Sequence, residues 1–102
     1  MQPITITKEN FQAEVTQTQG ITLLDFWASW CGPCRMLSPI VEQVAAEHAE
    51  IKVGKVNVDD EPELAAQFGI QSIPTLIAFK NGKKYKESVG LVEKEEVEAL
   101  LE

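Results

Sequence analysis

Cysteine is scarce in this chain: there are two in 102 residues, Cys31 and Cys34, too few for a disulfide framework. A domain of this length buries a core without staples, so the pair is free for chemistry. Also missing are repeats, low-complexity tracts and any Pro-, Gly- or Ser-rich linker, so residues 1–102 read as one domain. No apolar run approaches the ~20 residues that span a bilayer. The first seven residues, Met1 to Thr7, alternate polar and apolar side chains and show neither a basic n-region nor an apolar h-region. No signal peptide is therefore read, and the expected compartment is the cytoplasm. Basic residues are the minority, 9 against 16 acidic, for a net charge of −7. That balance repels phosphate backbones and argues against a nucleic-acid partner. Histidine occurs once, at His48, which leaves few soft ligands for a metal.

What is present has the periodicity of an α/β protein. Residues 3–7 (PITIT) read as a short strand, and Thr7 is placed to cap a helix over 8–18 that buries Phe11 and Val15. Residues 21–28 (ITLLDFWA) form a nearly continuous apolar run, the mark of a strand buried on both faces. Leu37, Ile40, Val41, Val44 and Ala45 recur at helical spacing, predicting a long helix to about residue 48, with Pro39 expected to kink it. Residues 51–58 (IKVGKVNV) predict another strand, and Glu61-Pro62 opens a short helix that Gly69 ends. Residues 75–80 and 83–89 flank Asn81-Gly82, a type I′ hairpin signal. A last helix is predicted over 93–101 with a weak cap at Glu93.

The order β-α-β-α-β-α-β-β-α predicts an α/β fold: a single central mixed sheet of five strands flanked by four helices on both faces. The early strands are expected to be parallel and the terminal hairpin antiparallel. The cysteine helix then starts at the carboxyl end of the 21–28 strand, where open α/β sheets carry their sites.

Cysteines at i and i+3 at a helix start close a disulfide with little backbone movement. Cys31, at or before the first turn, faces unsatisfied backbone N–H groups that favour a thiolate, whereas Cys34 is expected to be more buried and less acidic. Cys31 is thus the attacking thiol in disulfide exchange and Cys34 the resolving one. Pro33 presets the backbone of the helix start, and Gly32 permits close approach. The competing reading is half of a zinc site. Structural zinc needs about four ligands, and His48 lies about four turns away along the helix. No metal is expected.

Around the pair, Asp25 interrupts the run Leu23-Leu24-Asp25-Phe26-Trp27. Burial there raises a carboxyl pKa and suits it to take the proton that Cys34 must lose. Lys55 is in phase with Ile51 and Val53 and reaches Asp25 if the two strands are neighbours, with snorkelling to solvent as the alternative. Trp27 reads as core. Trp30 reads either as packing or as a contact for a protein partner. The bond before Pro74 is expected to be trans, because X–Pro bonds are cis in only about 5–6% of folded cases.

The block Asp25-Phe26-Trp27-Ala28-Ser29-Trp30-Cys31-Gly32-Pro33-Cys34 resembles the active-site signature of the thioredoxin family. Pro39, Lys55-Val56-Asn57-Val58-Asp59, Ile73-Pro74-Thr75 and Gly90 are spaced as in that family, so the likeness spans the chain. The resemblance implies a general protein disulfide reductase with no bound cofactor, acting on disulfide-containing proteins as a monomer. It implies recycling by thioredoxin reductase, an NADPH-dependent flavoprotein. It makes Asp25 the buried proton acceptor with Lys55 as its partner, and Pro74 cis beside the dithiol. It assigns Gly32, Pro33, Ile73, Pro74, Val89, Gly90 and Leu91, with Trp30, to the surface where partners dock. Arg35, Leu91 and Glu93 depart from the common pattern of lysine, alanine and a better cap. Of these, Leu91 bears on partner choice.

Overall fold

The computed structural model describes residues 2–102. Five strands form one sheet: β1 (Ile4–Thr5), β2 (Ile21–Trp27), β3 (Lys52–Asn57), β4 (Thr75–Lys80) and β5 (Lys83–Val89). Three α-helices accompany them: α1 (Gly32–Glu47), α2 (Pro62–Gln67) and α3 (Lys94–Ala99). The strand order is β1-β3-β2-β4-β5. The β1–β3 and β3–β2 pairs are parallel, and β2–β4 and β4–β5 are antiparallel. This is the predicted mixed sheet, with β2 central and buried over Thr22–Phe26.

Side chains alternate between two separate cores. Leu23, Val53, Leu76 and Ala78 point to one face and pack with Leu37, Val41 and Val44 of α1 and Val97 of α3. Leu24, Phe26, Val56, Ile77 and Phe79 point to the other and pack with Val15 and Leu64. No helix of the described residues is long and apolar enough to cross a membrane.

The segment expected to be an α-helix over 8–18 is instead π-helical over Gln12–Thr16. Its wider turn shows in the Gln17 N–H, which donates to the carbonyl of Gln12 at 2.9 Å. Thr7 does not cap this helix, whose first flanking residue is Phe11 without a side-chain bond. It closes the turn that leads into it, its hydroxyl accepting from the Asn10 N–H at 3.2 Å while Asn10 Oδ1 accepts from the Thr7 N–H at 2.7 Å. Glu93 is better supported than its type suggests, because Glu96 reaches back to accept its N–H at 3.2 Å.

Asn81 (φ 53°) and Gly82 (φ 83°) both turn left-handed, as a type I′ hairpin demands. The turn is also clamped. Gly20 N–H donates to Asn81 Oδ1 at 2.7 Å, Asn81 N–H donates to the Gly20 carbonyl at 2.8 Å, and a Cβ at Gly82 would collide with the Thr16 carbonyl oxygen.

Candidate active site

β2 leads into α1 through Ala28-Ser29-Trp30, and Cys31 is the residue that caps α1. Its backbone is extended, and its sulfur accepts the Cys34 N–H at 3.2 Å. A sulfur thus occupies the place where a Ser or Asp side chain usually caps, at the positive end of a 16-residue helix. Pro33 lies in the first turn, where its missing N–H costs nothing. The two cysteines are joined, with Cα atoms 5.3 Å apart. Both are buried in this state, Cys31 at 5% and Cys34 at 2% exposure. The expected order of shielding holds, but the difference is small when the disulfide is closed. Ala28 and the half-buried Trp27, Val58 and Ile73 pack around the pair.

The chain segments around the dithiol arrive from different parts of the fold. The Cys31 sulfur lies 3.8 Å from the carbonyl oxygen of Ile73. The Ile73–Pro74 bond is cis, as the family resemblance implied and against the general preference for trans. Gly90, left-handed at φ 97°, donates its N–H to the Pro74 carbonyl at 2.8 Å, tying the end of β5 to this loop. Val89 pairs with Thr75 and is exposed. On one side, Trp30 is 67% exposed and shares a hollow with Val58, Ala65, Ile70 and Ile73. Its indole N–H donates to Asp59 Oδ2 at 2.9 Å, which fixes the ring.

On the other side, Leu91 and Met36 line an open groove of about 420 Å³ with Ile40, Val92, Glu93 and Glu96. Met36 is 64% exposed, and sequence reasoning missed it. The signal was available, since Met36 falls off the Leu37–Val41–Val44 stripe that buries α1. Apart from its own chain neighbours and helix backbone, nothing among the described residues stands within 4 Å of a Cβ built on Gly32, so the space over this residue is open. Arg35 turns aside to donate to the Ser29 carbonyl at 3.0 Å.

Asp25 is two residues beyond Leu23 and so faces α1. It is 1% exposed, and neither carboxylate oxygen has a hydrogen-bonding partner among the described residues. Burial pushes its pKa up to about 6, while the Lys55 charge pulls in the opposite direction. β3 does lie beside β2, with Lys55 in register with Asp25, but its ammonium does not bond the carboxylate. It donates instead to Ser38 Oγ at 2.8 Å and lies 5.0 Å from the Trp27 ring centre. The Asp25–Lys55 pair is therefore one of field and not of contact.

His48 caps the far end of α1, and its ring bonds Glu98 at 2.9 Å and Glu50 at 3.2 Å. Those carboxylates, Glu98 first, raise its pKa. Among the described residues, Glu47, His48 and Glu98 bring possible ligand atoms within 4.8 Å of one another. Lys94 already engages Glu47 there, at 2.5 Å. This cluster is at the opposite end of α1 from the sulfurs, so the zinc reading that joined His48 to the cysteines has no geometry behind it.

A buried carboxyl, a capped sulfur and a second sulfur one turn on can exchange a disulfide and handle its proton. Comparison with known proteins agrees on the disulfide exchange. The thioredoxin family model matches residues 2–102. A thioredoxin of Alicyclobacillus acidocaldarius is 50% identical over 99 residues, covering 96% of this chain and 93% of its own. One from Porphyra purpurea is 47% identical, covering 94% and 91%. One from Chlamydia caviae is 46% identical, covering 94% and 92%. With this match running along its whole length, the chain belongs to the thioredoxin family of thiol–disulfide oxidoreductases, and Cys31–Cys34 is its redox-active disulfide.

Proposed function

We propose that the protein is a general reductant of protein disulfides in which Cys31 attacks and Cys34 resolves. The observation that carries this reading is the Cys31 sulfur at the head of α1, held by the Cys34 N–H and 3.8 Å from the Ile73 carbonyl. In the reduced protein, the helix terminus favours the Cys31 thiolate. It attacks one sulfur of a substrate disulfide, forming a mixed disulfide and expelling the other sulfur as a thiolate. Cys34 gives its proton to the Asp25 carboxylate, attacks the Cys31 sulfur and expels the second substrate thiolate. Two electrons pass to the substrate, and the dithiol becomes the Cys31–Cys34 disulfide.

An extended substrate segment lies along Ile73, whose backbone offers hydrogen bonds, and across Trp30, Gly32, Pro33, Pro74, Val89, Gly90 and Leu91. Exposed apolar side chains beside a reactive centre suit such docking. Reduction back to the dithiol falls to thioredoxin reductase, with electrons originating in NADPH and carried by that enzyme's flavin. A pair kept for catalysis suits the reducing cytoplasm, with the protein acting as a monomer.

Reduction of insulin disulfides, with NADPH and thioredoxin reductase or with dithiothreitol, tests the reading; a folded but inactive chain refutes it. Cys34→Ser is expected to accumulate a mixed disulfide through Cys31, visible by mass spectrometry. An adduct carried by Cys34 in the Cys31→Ser variant, with none in Cys34→Ser, reverses the roles.

A further inference from the structure

We propose that Ser38 is a positioning residue for disulfide exchange: its hydroxyl holds the Lys55 ammonium where that cation's field governs how readily Asp25 takes up a proton. The inference rests on the exchange mechanism above and adds a residue to it. Lys55 Nζ donates to Ser38 Oγ at 2.8 Å, and the Asp25 oxygens receive no hydrogen bond. The Ser38 hydroxyl in turn lies 3.4 Å from Glu42 Oε2, one helical turn on. Donating its proton there leaves a lone pair for Lys55, and the Glu42 charge reinforces the hold. The Trp27 ring, 5.0 Å from Nζ, closes the other side of the ammonium.

The other groups around Asp25 leave this cation to act nearly alone. β4 sets the apolar Leu76 opposite, and β2 flanks it with Leu23 and Trp27 on the same face. From α1 come Cys34, Leu37 and Ser38, with Glu42 beyond, while Arg35 is turned to the Ser29 carbonyl. β3 contributes Lys55. An ammonium on a four-carbon stem is strongly hydrated and drifts toward water when its acceptor is removed. Loss of the Ser38 hydroxyl therefore weakens the field at Asp25 and favours its neutral form.

The test is the carbon-13 NMR titration of the Asp25 carboxyl in the oxidised protein, where no thiol titrates. Alongside it runs the pH profile of stopped-flow exchange between the reduced protein and a small disulfide. Ser38→Ala is expected to move the Asp25 midpoint upward by about half a pH unit, roughly a threefold change in its ionisation constant. The acid limb of the exchange rate follows it. Ser38→Thr, which keeps a hydroxyl, restores both. A merely structural role lowers the melting temperature of Ser38→Ala while leaving the midpoint in place, and that result overturns the proposal. A downward shift also overturns it, since Ser38 would then be drawing Lys55 away from Asp25. Absence of exchange in the unmodified protein strikes the functional reading instead, and the NMR titration still decides the role of Ser38.

Discussion

Across the sheet from the aliphatic cluster of Leu23, Leu37, Val41, Val44, Leu76 and Val97 lie all four of the chain's phenylalanines. Phe68 sits at their centre, with ring centroids 5.5 Å from Phe11, 6.1 Å from Phe26 and 5.4 Å from Phe79. The aromatic face buries two hydroxyls, Thr22 and Thr75, and Thr75 donates to the Ser72 carbonyl at 2.6 Å. The aliphatic face buries Asp25, whose oxygens are the only buried side-chain polar atoms among the described residues without a partner. An unsatisfied carboxyl is an expense in a core. The molecule confines it to the face covered by α1, the helix that carries the sulfurs, and leaves the aromatic face to supply stability.

This division makes opposite predictions for the two faces. Phe26→Ala removes a fully buried ring and is expected to cost about 3–5 kcal/mol in urea denaturation. Exchange per folded molecule should be unchanged; a parallel loss of rate would break the separation of the faces.

Asp25→Ala is expected to do the reverse, raising stability and slowing exchange near neutral pH. The folded state holds the Asp25 proton to about pH 6, whereas the unfolded chain releases it near pH 4. Between those values the native state binds the extra proton, so stability falls as pH rises and is then level above about pH 6. The wild-type loss across that window amounts to about 3 kcal/mol at most. The variant should therefore gain most at pH 8 and little at pH 4, and a gain independent of pH would remove Asp25 as the source.

Gly54→Ala probes the aromatic face from the backbone. A Cβ there would stand 2.5 Å from Ile6 Cγ1 and 2.9 Å from Leu24 Cδ2, an overpacking worth about 1–3 kcal/mol. Thermal unfolding should register it, with the exchange rate again intact.

Much of this was legible in the residues because it is governed by local rules. The run around Asp25 marked the central strand, Asn81-Gly82 marked the hairpin, and the stripe through Leu37, Val41 and Val44 marked the buried side of α1. That Lys55 stands beside Asp25 was legible only on the condition that the two strands are neighbours, a condition the sheet meets. What escaped depends on how elements meet. The i→i+5 turn at Gln12–Thr16 arises where this segment packs Phe11 and Val15 onto the sheet, and no periodicity of eleven residues announces it. The ammonium of Lys55 goes to Ser38 because α1 lies over β3, which strand phase does not reveal. Glu93 looked poorly capped only while Glu96 was left out of account.

The clamped turn at Asn81-Gly82 bears on engineering. A hairpin tip far from the chemistry is ordinarily where a peptide tag, a fused domain or new chain ends are tolerated. Here the tip is pressed against the Thr16 carbonyl and laced to Gly20, so it acts as a buttress for the start of β2. Lengthening it would loosen the strand that delivers Asp25 and the dithiol, and a graft into this protein belongs elsewhere on its surface.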